Sequence, residues 1–194
     1  MSLSKQAKTL SIPQANAVLA MLEQTRHPVR NRVVFLLSMK AGLRAKEIAG
    51  LKWSMLTDSA GALSTEIHLT NAASKGAHGG RVIPLNKELR RELAKLLLES
   101  TAWAEFVIAT ERADRTSAQA IVNLFSGWYR ALGFNGCSSH SGRRTFVTAA
   151  ARKISTVGGS LRDVQALAGH SSLSTTQRYI ESDGMAQRRV VDLV

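Results

Sequence analysis

The chain of 194 residues has a single cysteine, Cys137, so no internal disulfide can form and no zinc site of the multi-cysteine kind can be built. That usage fits a reducing compartment. The N-terminus lacks the apolar core of a signal peptide, and no apolar run approaches the ~20 residues of a membrane span. Acidic residues are scarce: 14 Asp+Glu stand against 26 Lys+Arg, a formal charge of +12. There is no basic tail, no internal repeat, no low-complexity tract and no interdomain linker. The positive charge is spread along the chain, so the folded domain must present a basic face, which suits a polyanion. Hydrophobic residues reach 44%, enough for a core and too many for a disordered chain. These traits predict a soluble cytoplasmic protein.

Periodicity predicts a mainly α domain with one small antiparallel sheet (α+β). Ser11, Pro13 and Gln14 read as a capped helix start, with Ile12, Val18, Leu19 and Leu22 as its apolar face. Val33, Val34, Leu36, Leu37 and Met39 make the next helix apolar nearly all round, and Gly42 ends it. Ile67 and Leu69 alternate with polar neighbours, and residues 81–85 form a second strand. The link from Asn71 to Gly80 reads as a long hairpin tip, and Pro84 puts its strand at an edge or end. Helices follow over Asn86 to Ser100, Ser117 to Leu132, Ser141 to Lys153 and Leu161 to Leu167, with Phe106-Val107-Ile108 as a buried extended segment. Gly133 and Gly169 act as stops.

Six residues have chemistry to offer. His170 stands nine residues before Tyr179, across a run of hydroxyl side chains in which Ser171, Ser172 or Ser174 could cap a short helix. A phenol with a free pKa of about 10 is a poor nucleophile until cations or a base assist it. His140 and Arg143, three apart, share the first turn of a helix whose N-terminus favours an anion. Arg44 begins another helix, with Glu47 placed to pair with it at i,i+3. Lys75 sits at the hairpin tip. Alone, each has an ordinary explanation: a solvated lysine or arginine, a surface ion pair worth at most about 1 kcal/mol, a capping or partly buried histidine, a core tyrosine.

Taken in order, the stretches Gly42-Leu43-Arg44-Ala45-Lys46-Glu47-Ile48, Lys75 before Arg81-Val82-Ile83-Pro84-Leu85, His140-Ser141-Gly142-Arg143-Arg144-Thr145-Phe146 and Leu167-Ala168-Gly169-His170 to Tyr179 resemble the catalytic domain of tyrosine recombinases, the phage integrase family. The resemblance runs from about Leu10 to Ile180. It implies that Arg44 and Arg143 clamp the scissile phosphate, and that Tyr179 attacks phosphorus to give a 3′-phosphotyrosyl link. Lys75 would protonate the leaving 5′ oxygen, His140 would assist as base, and His170 would bond the phosphate, with Glu47 in support. It implies no cofactor and no metal, and as partners double-stranded DNA and further copies of the chain in a tetramer, without a membrane. A bacterial or phage origin and association with the nucleoid go with it. The expected function is site-specific DNA recombination; the alternatives are a topoisomerase-IB-like nicking-closing enzyme and a non-cleaving DNA-binding regulator.

The expected organisation is an arm over residues 1–9, a catalytic domain over 10–181, and a segment over 182–194. That last segment either packs in cis or docks on a neighbouring subunit through Val190, Val191, Leu193 and Val194. The start near Leu10 resembles the short, catalytic-domain-only recombinases or a fragment of a longer one. Three departures stand out. The hairpin tip is one residue longer than the commonest version, Gly142 replaces the usual leucine before the arginine, and the interval from Arg143 to His170 is a few residues longer.

Overall fold

A computed structural model describes residues 7–73, 80–101, 104–111, 113–179 and 191–192. Lys75 therefore lies outside the described residues, as do residues 1–6 and most of residues 182–194. Among the described residues the order is α1 (Ile12–Leu22), α2 (Pro28–Ala41), α3 (Ala45–Ala49), β1 (Glu66–Leu69), β2 (Arg81–Pro84), α4 (Lys87–Glu99), α5 (Ala118–Ala131), α6 (Ser141–Lys153), α7 (Leu161–Ala168) and α8 (Leu173–Gln177). Short 3₁₀ turns occupy Trp53–Met55 and Ile154–Val157. The architecture is the expected one, mostly helical with a two-stranded antiparallel sheet.

The centre is α2. Its Val33, Val34, Phe35, Leu36 and Leu37 are all buried, because α1, α4 and α6 pack around it. Gly42 closes it at φ +65, and its N–H donates to Leu37 O. A side chain there would meet the Phe146 ring at 2.5 Å, so both backbone and space demand glycine. The capping box predicted for α1 forms: Gln14 N–H donates to Ser11 Oγ at 3.3 Å, and Ser11 N–H to Gln14 Oε1 at 3.0 Å. Ile12 departs from its expected inward place and is 79% exposed. It stands beside the stripe of Ala15, Val18, Leu19 and Leu22, at the rim of an open groove shared with Met39 and Phe146.

The N-terminal arm is pinned where it is described. Lys8 N–H donates to Gly136 O at 3.0 Å, Leu10 N–H to Thr145 Oγ1 at 2.8 Å, and Leu10 is buried. On the sheet, Ile67 faces Ile83 and Leu69 faces Arg81, so an arginine shares the inward face. The segment at 105–108 pairs with 51–53: Trp53 N–H donates to Glu105 O and Val107 N–H to Leu51 O. Val107 and Ile108 are buried as expected, whereas Phe106 turns outward between the cations of Lys52 and Arg115. On α5, Tyr129 joins Phe125 and Trp128 in the core, a burial the sequence pattern did not single out.

The core has two parts. The main cluster fills the space among α1 to α5 and the sheet. A smaller one, Val147, Val164 and Ala168 with Phe146, Ala150, Ile154 and Tyr179 against them, joins α6, α7 and α8. The two halves meet where α6 crosses α2. There Gly142 explains its own departure from the family pattern: a Cβ would lie 2.5 Å from Ser38 Oγ and 3.0 Å from Ser38 Cβ. The space a leucine would need is taken by a buried serine of α2. We predict that Gly142→Leu costs about 1–3 kcal/mol through overpacking, and that adding Ser38→Ala recovers part of it. Urea unfolding reads both; wild-type stability in Gly142→Leu would contradict the close crossing.

Candidate active site

Four helix ends converge: the C-terminus of α2, the N-terminus of α3, the N-terminus of α6 and the C-terminus of α7. Arg143, on the first turn of α6, is 4% exposed and joins two of them. Its Nη1 donates to Gly42 O at 2.5 Å and its Nη2 to Ala168 O at 2.6 Å. Both acceptors are C-terminal carbonyls, which carry unsatisfied lone pairs and the negative end of the helix dipole. A guanidinium has five N–H donors, so two such bonds leave others for a ligand.

Arg44 caps α3, two residues beyond Gly42. Its Nη1 donates to Glu47 Oε1 at 3.0 Å, and its backbone N–H to Glu47 Oε2 at 2.8 Å. Glu47 is fully buried, so this is no surface pair. The same carboxylate accepts a bidentate fork from Arg81, Nη1 to Oε1 at 2.9 Å and Nη2 to Oε2 at 3.1 Å. Arg81 also reaches α7, with Nε donating to Leu167 O at 3.0 Å. Gly169, at φ +61, lies so near that a Cβ would stand 2.8 Å from Arg81 Nη1. Burial pushes the Glu47 carboxyl up, but Arg81 and Arg44 outweigh it and hold it below the usual carboxylate range.

His170 follows Gly169, and 8% of it is exposed. Its Nδ1 lies 3.0 Å from Thr176 Oγ1, and its ring stacks on Tyr179 with centroids 5.4 Å apart and planes 18° from parallel. Burial first, then Arg143, Arg44 and Arg81, push the imidazole down to about 4, so it is neutral at pH 7. The same crowding lowers Arg143 to about 10: burial leads, the Arg44 charge adds, and Glu47 opposes. Arg143 remains charged at pH 7. Three guanidiniums therefore stand about one carboxylate, which two of them bond, an excess of positive charge suited to a bound anion. An open cleft of about 360 Å³ faces this centre, lined by His140, Arg143, Arg144, Thr175, Arg178 and Tyr179 among others.

The structure thus gathers Arg44, Glu47, His140, Arg143, His170 and Tyr179 about one place. Ser172 holds the N-cap position of α8, but its Oγ bonds the hydroxyls of Ser174 at 2.9 Å and Thr175 at 3.1 Å rather than a backbone N–H. Arg81 and Thr176 were not foreseen as members of the site. For Arg81 a signal existed: on a period of two it shares the inward face of β2 with Ile83, and a cation on a buried face demands a partner. Among the described residues no cluster of three or more His, Cys, Asp or Glu could hold a metal ion. No helix there is long and apolar enough to cross a membrane.

The model of the phage integrase family matches residues 8–185. The chain belongs to the phage integrase family. Among curated relatives it is 33% identical to the tyrosine recombinase XerD of Ralstonia nicotianae, over 89% of this chain and 55% of that protein. It is 29% identical to the tyrosine recombinase XerA of Thermococcus kodakarensis, over 89% of this chain and 57% of the relative. It thus spans little more than half of each. Its fold matches the crystal structure of XerA recombinase with a TM-score of 0.74 at 22% identity, over 95% of this chain and 64% of that one. It also matches the XerH site-specific recombinase bound to difH substrate, with a TM-score of 0.71 at 18% identity, over 98% and 55%.

For this integrase-family domain the buried imidazole sets a pH dependence. Between about 4 and 6.5 the unfolded chain binds the His170 proton and the fold does not. Stability is therefore full above pH 6.5 and falls as pH drops towards 4, while Glu47 adds its own loss only below its ordinary 4.5. We expect Tm to fall between pH 7 and pH 5, and His170→Gln to remove on the order of 1 kcal/mol of that fall. Equal falls in both proteins would show that His170 is not held neutral.

Proposed function

We propose that the chain is the catalytic domain of a site-specific DNA recombinase that breaks and rejoins duplex DNA through Tyr179. The observation that carries this is the convergence of Arg44, Arg143, His170 and Tyr179, from separate stretches, around a buried cationic centre at a cleft that His140 also lines. A phosphodiester is the anion such a centre suits. Its non-bridging oxygens gain charge as phosphorus becomes five-coordinate, and two planar guanidiniums with a neutral imidazole offer fixed N–H donors to them.

In the step itself the Tyr179 oxygen bonds phosphorus as the bond to the 5′ oxygen breaks. The phenol gives its proton to His140, and the leaving oxygen takes one from Lys75, whose role rests on the family resemblance alone. A 3′-phosphotyrosyl ester replaces a phosphodiester, so a 5′ hydroxyl can reverse the step and rejoin the strand. That reversibility is what strand exchange needs. The relatives' names point the same way: XerD and XerA are tyrosine recombinases, and the XerH structure holds a DNA substrate. Such a substrate would place the protein at the nucleoid, in the cytoplasm.

The direct test is a set of duplexes nicked beside the scissile phosphate, selected for binding and incubated without metal. A covalent protein–DNA adduct is expected, lost in Tyr179→Phe and formed at least 100-fold more slowly in Arg143→Ala. Selected DNA that binds without forming an adduct, or an adduct that persists in Tyr179→Phe, would refute the assignment.

Residues 10–181 would form the catalytic domain, with 1–9 as an N-terminal arm. Residues 182–194 would dock on a neighbouring copy and couple the active sites of a tetramer. Val191, one of the expected anchors, is 70% exposed in the single chain, as a group awaiting a partner would be. Removing the residues after Gly184 should then impair synapsis more than cleavage. Equal loss of both would point to packing within the chain.

A further inference from the structure

One threonine holds both members of the ring stack. Thr176 is fully buried. Its hydroxyl lies 3.0 Å from His170 Nδ1, and its carbonyl accepts the backbone N–H of Tyr179 at 3.0 Å. The two rings it ties lie face to face at 5.4 Å. The backbone of His170 is fixed separately: its N–H donates to Gln165 O at 3.1 Å, and Gln165 Nε2 donates to its carbonyl at 3.1 Å. What remains free in the imidazole is rotation about its side-chain bonds and the choice of which nitrogen carries the proton. The Tyr179 face limits the rotation, and the Thr176 hydroxyl limits both.

The choice of nitrogen matters chemically. The imidazole is neutral at pH 7, with a single N–H. A phosphodiester oxygen is an acceptor with no proton to offer, so His170 helps it only as a donor. With Nδ1 against Thr176, the donor has to be Nε2–H, and Nδ1 must then accept. A buried hydroxyl seeks an acceptor, and Nδ1 is within reach. The bond therefore satisfies Thr176 and selects the useful tautomer together.

We propose that Thr176 is a positioning residue for strand cleavage: its hydroxyl donates to His170 Nδ1 and keeps Nε2–H for the phosphate, while its carbonyl fixes the backbone of Tyr179. This rests on the reading of His170 and Tyr179 as the cleavage site. It separates two variants of similar size. Thr176→Val keeps the volume and the carbonyl but removes the hydroxyl; Thr176→Ser keeps the hydroxyl.

The test combines two measurements on the full chain. In ¹⁵N imidazole spectra of the DNA-free protein, His170 is expected as the Nε2–H tautomer in wild type and Thr176→Ser, with Nδ1–H rising in Thr176→Val. In single-turnover cleavage of the nicked duplex, Thr176→Val is expected to be at least tenfold slower with DNA affinity unchanged, and Thr176→Ser within about threefold of wild type. In a His170→Ala background, Thr176→Val should cause no further loss, because the residue acts through the imidazole. An Nδ1–H tautomer in wild type, full cleavage by Thr176→Val, or losses that multiply in the double variant would each overturn the proposal. A wild-type chain that forms no adduct would defeat the assignment of function instead, and the tautomer spectra would still decide the role of Thr176.

Discussion

The bonds from Arg143 to Gly42 O and Ala168 O hold the two halves of the domain in register. The first acceptor closes α2, the most deeply packed helix; the second is the last residue of α7, which rests on the small cluster. A buried guanidinium is costly unless its donors are met, and helix C-termini offer carbonyls that nothing inside the helix can satisfy. Each need answers the other. The same contact would fix the cation for the proposed chemistry: a side chain held by two rigid carbonyls need not be reorganised when an anion binds, which is where preorganised donors are worth most.

Around that contact the charges are deliberately unequal. Glu47 is shared by Arg44 and Arg81, whereas Arg143 donates to the carbonyls of Gly42 and Ala168. Full neutralisation would bury the pairs at little electrostatic strain but leave nothing to attract an anion. Burial leads in lowering the titration of Arg143 and His170, and repulsion from the neighbouring guanidiniums adds a charge strain. An anion relieves it. The fold thus carries like charges close together at the candidate site, an imbalance that the proposed anionic substrate would offset.

Much of this was legible in the residues. The Ser11–Gln14 box, the stops at Gly42 and Gly169 and the inward Ile67 and Leu69 follow from local rules, and local rules hold where neighbours in sequence are neighbours in space. The dispersed site residues were recognisable by their order against a family pattern. What escaped depends on distant partners. Arg81 and Glu47 are 34 positions apart, and neither shows the other from local pattern. The meaning of Gly142 appears only when α6 lies on Ser38. Ile12 looked inward because its residue type suited the stripe, yet the wheel places it to one side. Ser172 sat at the predicted cap, but neighbouring hydroxyls took its oxygen.

The division of the core has a consequence for how the site is held. The cations stand on the larger cluster: Arg44 and Glu47 sit beside the buried Leu43 and Ile48. The proposed nucleophile Tyr179 and His170 follow α8 and α7, on the smaller cluster in which Val164 and Ala168 of α7 and Val147 of α6 are the buried apolar residues. Apolar burial sets how easily a segment opens, so the proposed phosphate clamp is the firmer part and the proposed nucleophile the looser one. Specific polar bonds have to make up the difference. Arg143 and Arg81 hold the end of α7 through Ala168 and Leu167, Gln165 holds the backbone of His170, and Thr176 ties the imidazole to the tyrosine. An enzyme of the proposed kind, which would release its nucleophile from one strand and accept another, would have reason to place it on such a segment: fixed by directional bonds when assembled, and not committed to a large apolar core.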